Sequence, residues 1–158
     1  GRPAPARQGH ASPHRPDRFD RTWDSKHRNS MDWYYPDLSG ALDMTAAAER
    51  LQARWESFVI DGFGCRCVLD EPWVTVAESA ELVIALMALG KTDQAVTHLG
   101  WLDKFRDSDG AYWMGMQVEE ETFWPVEQPA WTAGAVLLAH DAVHRMTPAH
   151  GLFIESII

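Results

Sequence analysis

From about residue 43 to residue 146 the apolar side chains return every three or four positions, the period of an α-helix packed along one side. Asp43 is placed to cap a helix running to about Phe58, with Ala47, Leu51, Trp55 and Phe58 on one stripe and Glu49, Arg50, Gln52 and Glu56 opposite. The next segment, about 77–90, is apolar all round from Leu82 to Leu89 and is therefore expected inside the structure. Thr75 and Glu78 have the spacing of a capping box at its start, and Gly90 is a C-terminal stop. Residues 92–105 are amphipathic again through Ala95, Leu99, Leu102 and Phe105. A fourth helix is expected over 129–146, with Pro129 at its first turn and an apolar centre from Ala133 to Ala139. The order is outer, inner, outer, inner.

The segments between these helices are uneven. Gly90-Lys91 closes one hairpin tightly, whereas 61–74 and 107–128 are long, aromatic, glycine-bearing loops, and long loops on one face are where binding concentrates. A loose repeat links them: Trp55 to Phe58 then Asp61-Gly62 returns as Trp101 to Phe105 then Asp109-Gly110, and a period near 50 built of two helices marks a repeated hairpin. Residues 17–153 are thus expected to form helical hairpins, flanked by a disordered tail over 1–16, where four prolines accompany almost no large apolar side chain, and an unstructured end over 154–158. Two hairpins do not close a ring, so the expectation is a fragment of a larger ring.

Composition narrows the partners. Fourteen Lys and Arg against 23 Asp and Glu leave a net charge of −9, which repels a phosphate backbone, so no nucleic-acid partner is expected. The longest apolar run has eight residues, against the roughly 20 a membrane span needs, so no membrane span is expected. Two cysteines, Cys65 and Cys67, too close for an easy disulfide, and an N-terminal stretch without an apolar core suit a reducing cytoplasm. Eight tryptophans exceed ordinary usage and belong either between helices or around an aromatic cavity.

Asp61-Gly-Phe-Gly64, Glu71-Pro-Trp73 and the helix ending Ala85-Leu-Met-Ala-Leu-Gly90 resemble the repeat of the terpenoid cyclase and protein prenyltransferase α/α toroids. Trp101 to Trp113 is similar to the QW-type repeat of squalene cyclases, with Arg106 where that family has Gln. Ser30-Met-Asp-Trp-Tyr-Tyr-Pro36, Arg66-Cys-Val68, Pro72-Trp-Val-Thr75, Asp109-Gly-Ala-Tyr-Trp113 and Trp131-Thr-Ala133 resemble the C-terminal part of bacterial proteins labelled prenyltransferase. The resemblance implies an all-α fold, a partial (α/α)6 toroid, and a cavity for an isoprenoid chain. It lacks the Asp-x-Asp-Asp acid motif of the cyclases and the zinc set of the protein prenyltransferases.

Among candidate groups, Cys65-Arg-Cys67 has no recognised zinc spacing, and His140 and His144, one turn apart, lack a third ligand, so neither a metal nor a cofactor is assigned. The carboxylates near the long loops are better placed: Glu81, Asp61, Asp109 and Glu127 are the catalytic candidates, able to protonate an alkene, stabilise a carbocation or work as an acid and base on a sugar. Asp61 and Asp109 also suit Asp-Gly turns and Glu127 a helix start. Glu81 stands apart as a charge within an otherwise apolar helix. Trp73, Tyr112, Trp113, Trp124 and Trp131 are candidate substrate-binding aromatics, suited to a carbocation or to a stacked sugar ring. The first expectation is a prenyltransferase-like or cyclase-like transferase, incomplete and inactive alone, its open hairpin edges prone to self-association. The alternatives are a six-hairpin glycosidase-like carbohydrate enzyme and a non-catalytic toroid scaffold.

Overall fold

A computed structural model describes residues 27–154. The tail expected over 1–16 and all but the first residue of the end expected over 154–158 lie outside the described residues; Ile154 itself packs against the core.

Helix α1, Ser30–Leu38, carries Pro36 in its interior. A proline has no N–H to give the carbonyl four residues back, here that of Asp32. Arg50 fills the gap, its Nη2 donating to the Asp32 carbonyl at 2.6 Å and its Nε to that of Trp33 at 2.8 Å. Arg50 belongs to α2, Met44–Ala53, which Asp43 caps through the Ala46 amide at 2.9 Å as expected. The helix expected to run on to Phe58 instead breaks at Arg54, and Trp55–Phe58 forms a separate turn, α3. The Arg50 carbonyl, which an unbroken helix would pair with the Arg54 amide, accepts the Trp33 indole N–H at 3.0 Å.

The expectation of an all-α toroid is overturned by two small antiparallel sheets, which make the chain a mixed α/β structure. Strands β1, Val59–Ile60, and β2, Gly64–Cys65, form a hairpin. Strands β3, Trp73–Thr75, β4, Gly115–Gln117, and β5, Thr122–Phe123, form a sheet in that order, with Val74 opposite Met116 and Met116 opposite Phe123. The two loops read as irregular from sequence thus satisfy their backbone groups in ladders. Gly115 is required by this pairing: a Cβ there would stand 2.4 Å from the Val74 carbonyl oxygen.

Helix α4, Val76–Ala88, is the centre of the molecule, with Val76, Ala80, Leu82, Val83, Ala85 and Leu86 fully buried. Around it pack α1, α5 (Thr92–Trp101), α6 (Ala130–His144) and strands β2 and β3. The expected capping box at its start is absent. Thr75 makes no side-chain cap; Ser79 Oγ donates to the Thr75 carbonyl at 2.6 Å and accepts the Cys65 amide at 2.8 Å, so β2 is tied to the helix entry. Gly90, at φ 69°, ends the turn after α4. Helix α5 gives way at Leu102–Phe105 to a 3-10 turn rather than running on as α-helix. Helix α6 is less enclosed than its all-round apolar sequence predicts: Val136, Ala139 and Ala142 are buried, while Trp131, Leu137 and Leu138 are exposed. No described helix is long and apolar enough to cross a membrane.

Candidate functional site

A cavity of about 740 Å³ opens where α1, α4 and α6 meet, with Phe153 from the last described turn on its rim. Helix α1 contributes Asp32, Tyr35, Pro36 and Leu38; α4 contributes Glu81 and Ile84; α6 contributes Trp131, Gly134, Ala135 and Leu138. Most of that wall is hydrocarbon. Among the described residues, its charged lining residues are Asp32 and Glu81.

Glu81 reaches the cavity because it lies on the stretch of α4 against which α1 packs. Tyr34 donates to its Oε2 at 2.6 Å and Tyr35 to its Oε1 at 3.2 Å. Burial raises the pKa of Glu81 above the usual carboxylate range; the two tyrosine hydroxyls pull it down in part, and the nearby charge of Glu78 pushes it up. A carboxyl that holds its proton longer than an exposed glutamate, in a cavity with a second carboxylate, is equipped for general acid–base chemistry. Trp131, 62% exposed at the start of α6, lines the same cavity.

The other sequence candidates fall elsewhere. Asp61 is exposed at the β1–β2 turn. Asp109 is exposed and its Oδ1 accepts the Ala111 amide at 2.9 Å, closing a turn. Glu127 is exposed, and its backbone carbonyl accepts the Met114 amide at 2.9 Å. Trp73, Trp113 and Trp124 gather with Phe123 on the three-stranded sheet: the Trp73 indole donates to the Trp124 carbonyl at 2.8 Å and meets the Trp124 ring edge-on at 5.3 Å, and Trp113 stacks on Phe123 at 5.4 Å. Tyr112, half-buried, bridges to Arg106. None of these residues lines the cavity.

Neither cysteine is poised as a nucleophile. Burial pushes the Cys65 thiol far up, and burial with the adjacent Glu78 carboxylate pushes Cys67 up to about 12. Cys67 Sγ donates to Glu78 Oε1 at 3.4 Å. His140 and His144 stack at 5.5 Å; burial, then His144, lower the pKa of His140. Among the described residues no three His, Cys, Asp or Glu side chains are grouped to hold a metal ion.

Sequence reasoning missed Asp32, Tyr34 and Tyr35. The stretch Ser30 to Pro36 entered only through the resemblance, because a nine-residue helix with an internal proline has no periodic signal of its own.

No protein-family profile matches the chain. The chain is 45% identical over 150 residues, 95% of its length, to an MMP endo-(1,4)-3-O-methyl-alpha-D-mannosidase of Mycolicibacterium hassiacum, and spans 41% of that protein's length. That relative is named as a glycosidase, which corrects the resemblance to prenyltransferases and terpenoid cyclases. Of the stretches that carried the resemblance, the glycine-bearing turn 61–64 closes the β1–β2 hairpin, while Trp73 and Trp113 pack against Trp124 and Phe123, and such similarity does not carry chemistry.

Proposed function

We propose that this chain supplies an acid–base carboxyl and an apolar wall to a glycoside hydrolase site acting on O-methylated mannose chains. The observation that carries the reading is Glu81, a half-buried carboxyl with raised pKa, on the wall of a cavity that Asp32 also lines. Glycoside hydrolysis uses such a pair, one group protonating the departing glycosidic oxygen and the other acting on the opposite side of the sugar. Glu81 takes the acid role because burial favours its neutral form; Asp32 takes the second.

The wall fits the substrate class. A free mannose ring presents hydroxyls that lose hydrogen bonds against hydrocarbon, whereas a methyl ether presents an apolar group that gains there. Leu38, Ile84, Ala135, Leu138 and Phe153 form such a surface, with the Trp131 indole as a stacking platform. The name of the 45% identical relative supports the same substrate class.

The test is hydrolysis of a 3-O-methylmannose oligosaccharide by the polypeptide carrying this sequence, beside Glu81→Gln and Asp32→Asn. Loss of a general acid lowers kcat by about 10²–10⁴-fold. An oligosaccharide left intact by the unaltered protein, or cleaved equally well by Glu81→Gln, refutes the reading.

A further inference from the structure

The two tyrosines that hold Glu81 differ in kind. Tyr34 and Tyr35 are consecutive on α1, so their side chains leave the helix about 100° apart, one toward the core and one toward the cavity. Tyr34 is completely buried, edge-on to Trp33 at 6.3 Å and to Tyr35 at 5.3 Å, and its hydroxyl stands 2.6 Å from Oε2. Tyr35 is 42% exposed, lines the cavity, and stands 3.2 Å from Oε1. The first distance lies at the short end of the ordinary O–H···O range of about 2.5–3.0 Å and the second lies beyond it.

This difference bears on ligand binding. Each carboxyl oxygen of Glu81 accepts one tyrosine hydroxyl, so a sugar group arriving from the cavity competes first with the weaker of the two bonds. Withdrawal of Tyr34 leaves a fully buried hydroxyl unpaired, the costly outcome for a hydrogen-bonding group. Tyr35 withdraws into an open cavity where another hydroxyl replaces it.

We propose that Tyr34 is the permanent positioning residue of Glu81 and Tyr35 the exchangeable one, whose hydroxyl yields Oε1 to an entering sugar and turns to hydrogen-bond that sugar. The inference rests on the glycosidase reading. The groups acting on Glu81 are Tyr34 and Tyr35 from α1 and Glu78 one turn earlier on α4; the Cys65 thiol of β2 is coupled to it and stays neutral, Asp32 shares the cavity wall, and the α6 residues on that wall, Trp131, Gly134, Ala135 and Leu138, carry no titratable group.

Carbon-13 NMR of the full chain labelled at Glu Cδ and Tyr Cζ tests it, with methyl 3-O-methyl-α-D-mannopyranoside as the probe. In the unaltered protein the saturating probe moves the Tyr35 resonance and leaves that of Tyr34 in place. Tyr34→Phe raises the Glu81 titration midpoint by about one pH unit, with or without probe, because a hydroxyl that favours the ionised form is gone. Tyr35→Phe raises it in the free protein only, and the difference from the unaltered protein disappears on saturation. In hydrolysis, Tyr34→Phe lowers kcat and moves the alkaline limb of the pH profile upward, while Tyr35→Phe raises KM.

A probe that moves Tyr34, moves both tyrosines alike or moves neither overturns the proposal, as does an unshifted midpoint in Tyr34→Phe. The resonance measurement needs no variant, so it stands even where Tyr34→Phe does not fold. The two readings separate: tyrosines that respond unequally in a protein that cleaves no glycoside leave the exchange intact and remove the glycosidase. Cleavage with an unshifted midpoint does the reverse.

Discussion

Asp37 makes an unusual demand on the fold. It is fully buried at the end of α1, and neither carboxyl oxygen has a hydrogen-bond partner among the described residues. Burial raises its pKa to about 7 against an ordinary 3.8, the nearby Arg50 charge offsetting part of the rise. The folded protein therefore binds this proton more tightly than the unfolded chain. Stability from this group is fully present below the unfolded value of about 3.8 and is lost as pH rises through the folded value of about 7. A difference of that size is worth about 4 kcal/mol in full, and between pH 5 and pH 8 the group alone withdraws about 2.7 kcal/mol from the folded state. Asp37→Asn replaces it with an amide of nearly the same shape that does not titrate in this range. Urea unfolding followed by tryptophan fluorescence at pH 5, 6, 7 and 8 measures the effect as the stability of the variant minus that of the unaltered protein. That difference should rise by about 2–3 kcal/mol from pH 5 to pH 8, most of it below pH 7. Other titrating groups cancel in the subtraction. Parallel curves for the two proteins refute the reasoning.

His98 works in the opposite direction. Burial lowers its pKa from the ordinary 6.5, so its contribution is present above that value and is lost as pH falls below it; His98→Leu should flatten the acid side of the stability curve. Gly115→Ala places a Cβ against the Val74 carbonyl oxygen at 2.4 Å, and should lower stability by about 1–3 kcal/mol in the same unfolding assay, with a fall in Tm. Cys65 is enclosed and Cys67 is held to about 12, so both thiols should react slowly with a disulfide reagent at pH 8 in the folded protein and rapidly in urea; fast reaction of either thiol in the folded protein contradicts their placement.

The course of the helices was legible where one physical signal dominates. The unbroken apolar run Leu82 to Leu89 placed α4 at the centre, Asp43 marked the start of α2, and Glu81 drew notice as a charge in a helix with no polar side. The strands were not legible. Each is two or three residues long, too short for alternation to register, and β3 finds β4 across some forty residues of chain, a pairing no local window contains. The site was half legible for a similar reason. Glu81 and Trp131 lie on helices with strong patterns, whereas Asp32 and Tyr35 lie on α1, whose internal proline breaks the pattern that would have announced it.

That proline also ties the site to the core. With Pro36 in place the Asp32 carbonyl has no helical donor, and the Arg50 guanidinium that takes its place reaches the carbonyls of both Asp32 and Trp33. Trp33 returns the contact through its indole to the Arg50 carbonyl and stacks on Phe58 at 5.1 Å. Helix α1 is therefore fixed on one side by polar bonds to α2, and on the other it packs against α4 and holds Glu81 through Tyr34 and Tyr35. The break at Arg54 follows from the same exchange, since the carbonyl that receives Trp33 is the one an unbroken α2 would have used. Two departures from regular helix, one caused by a missing N–H and one by a diverted carbonyl, together set where the tyrosines meet the carboxyl.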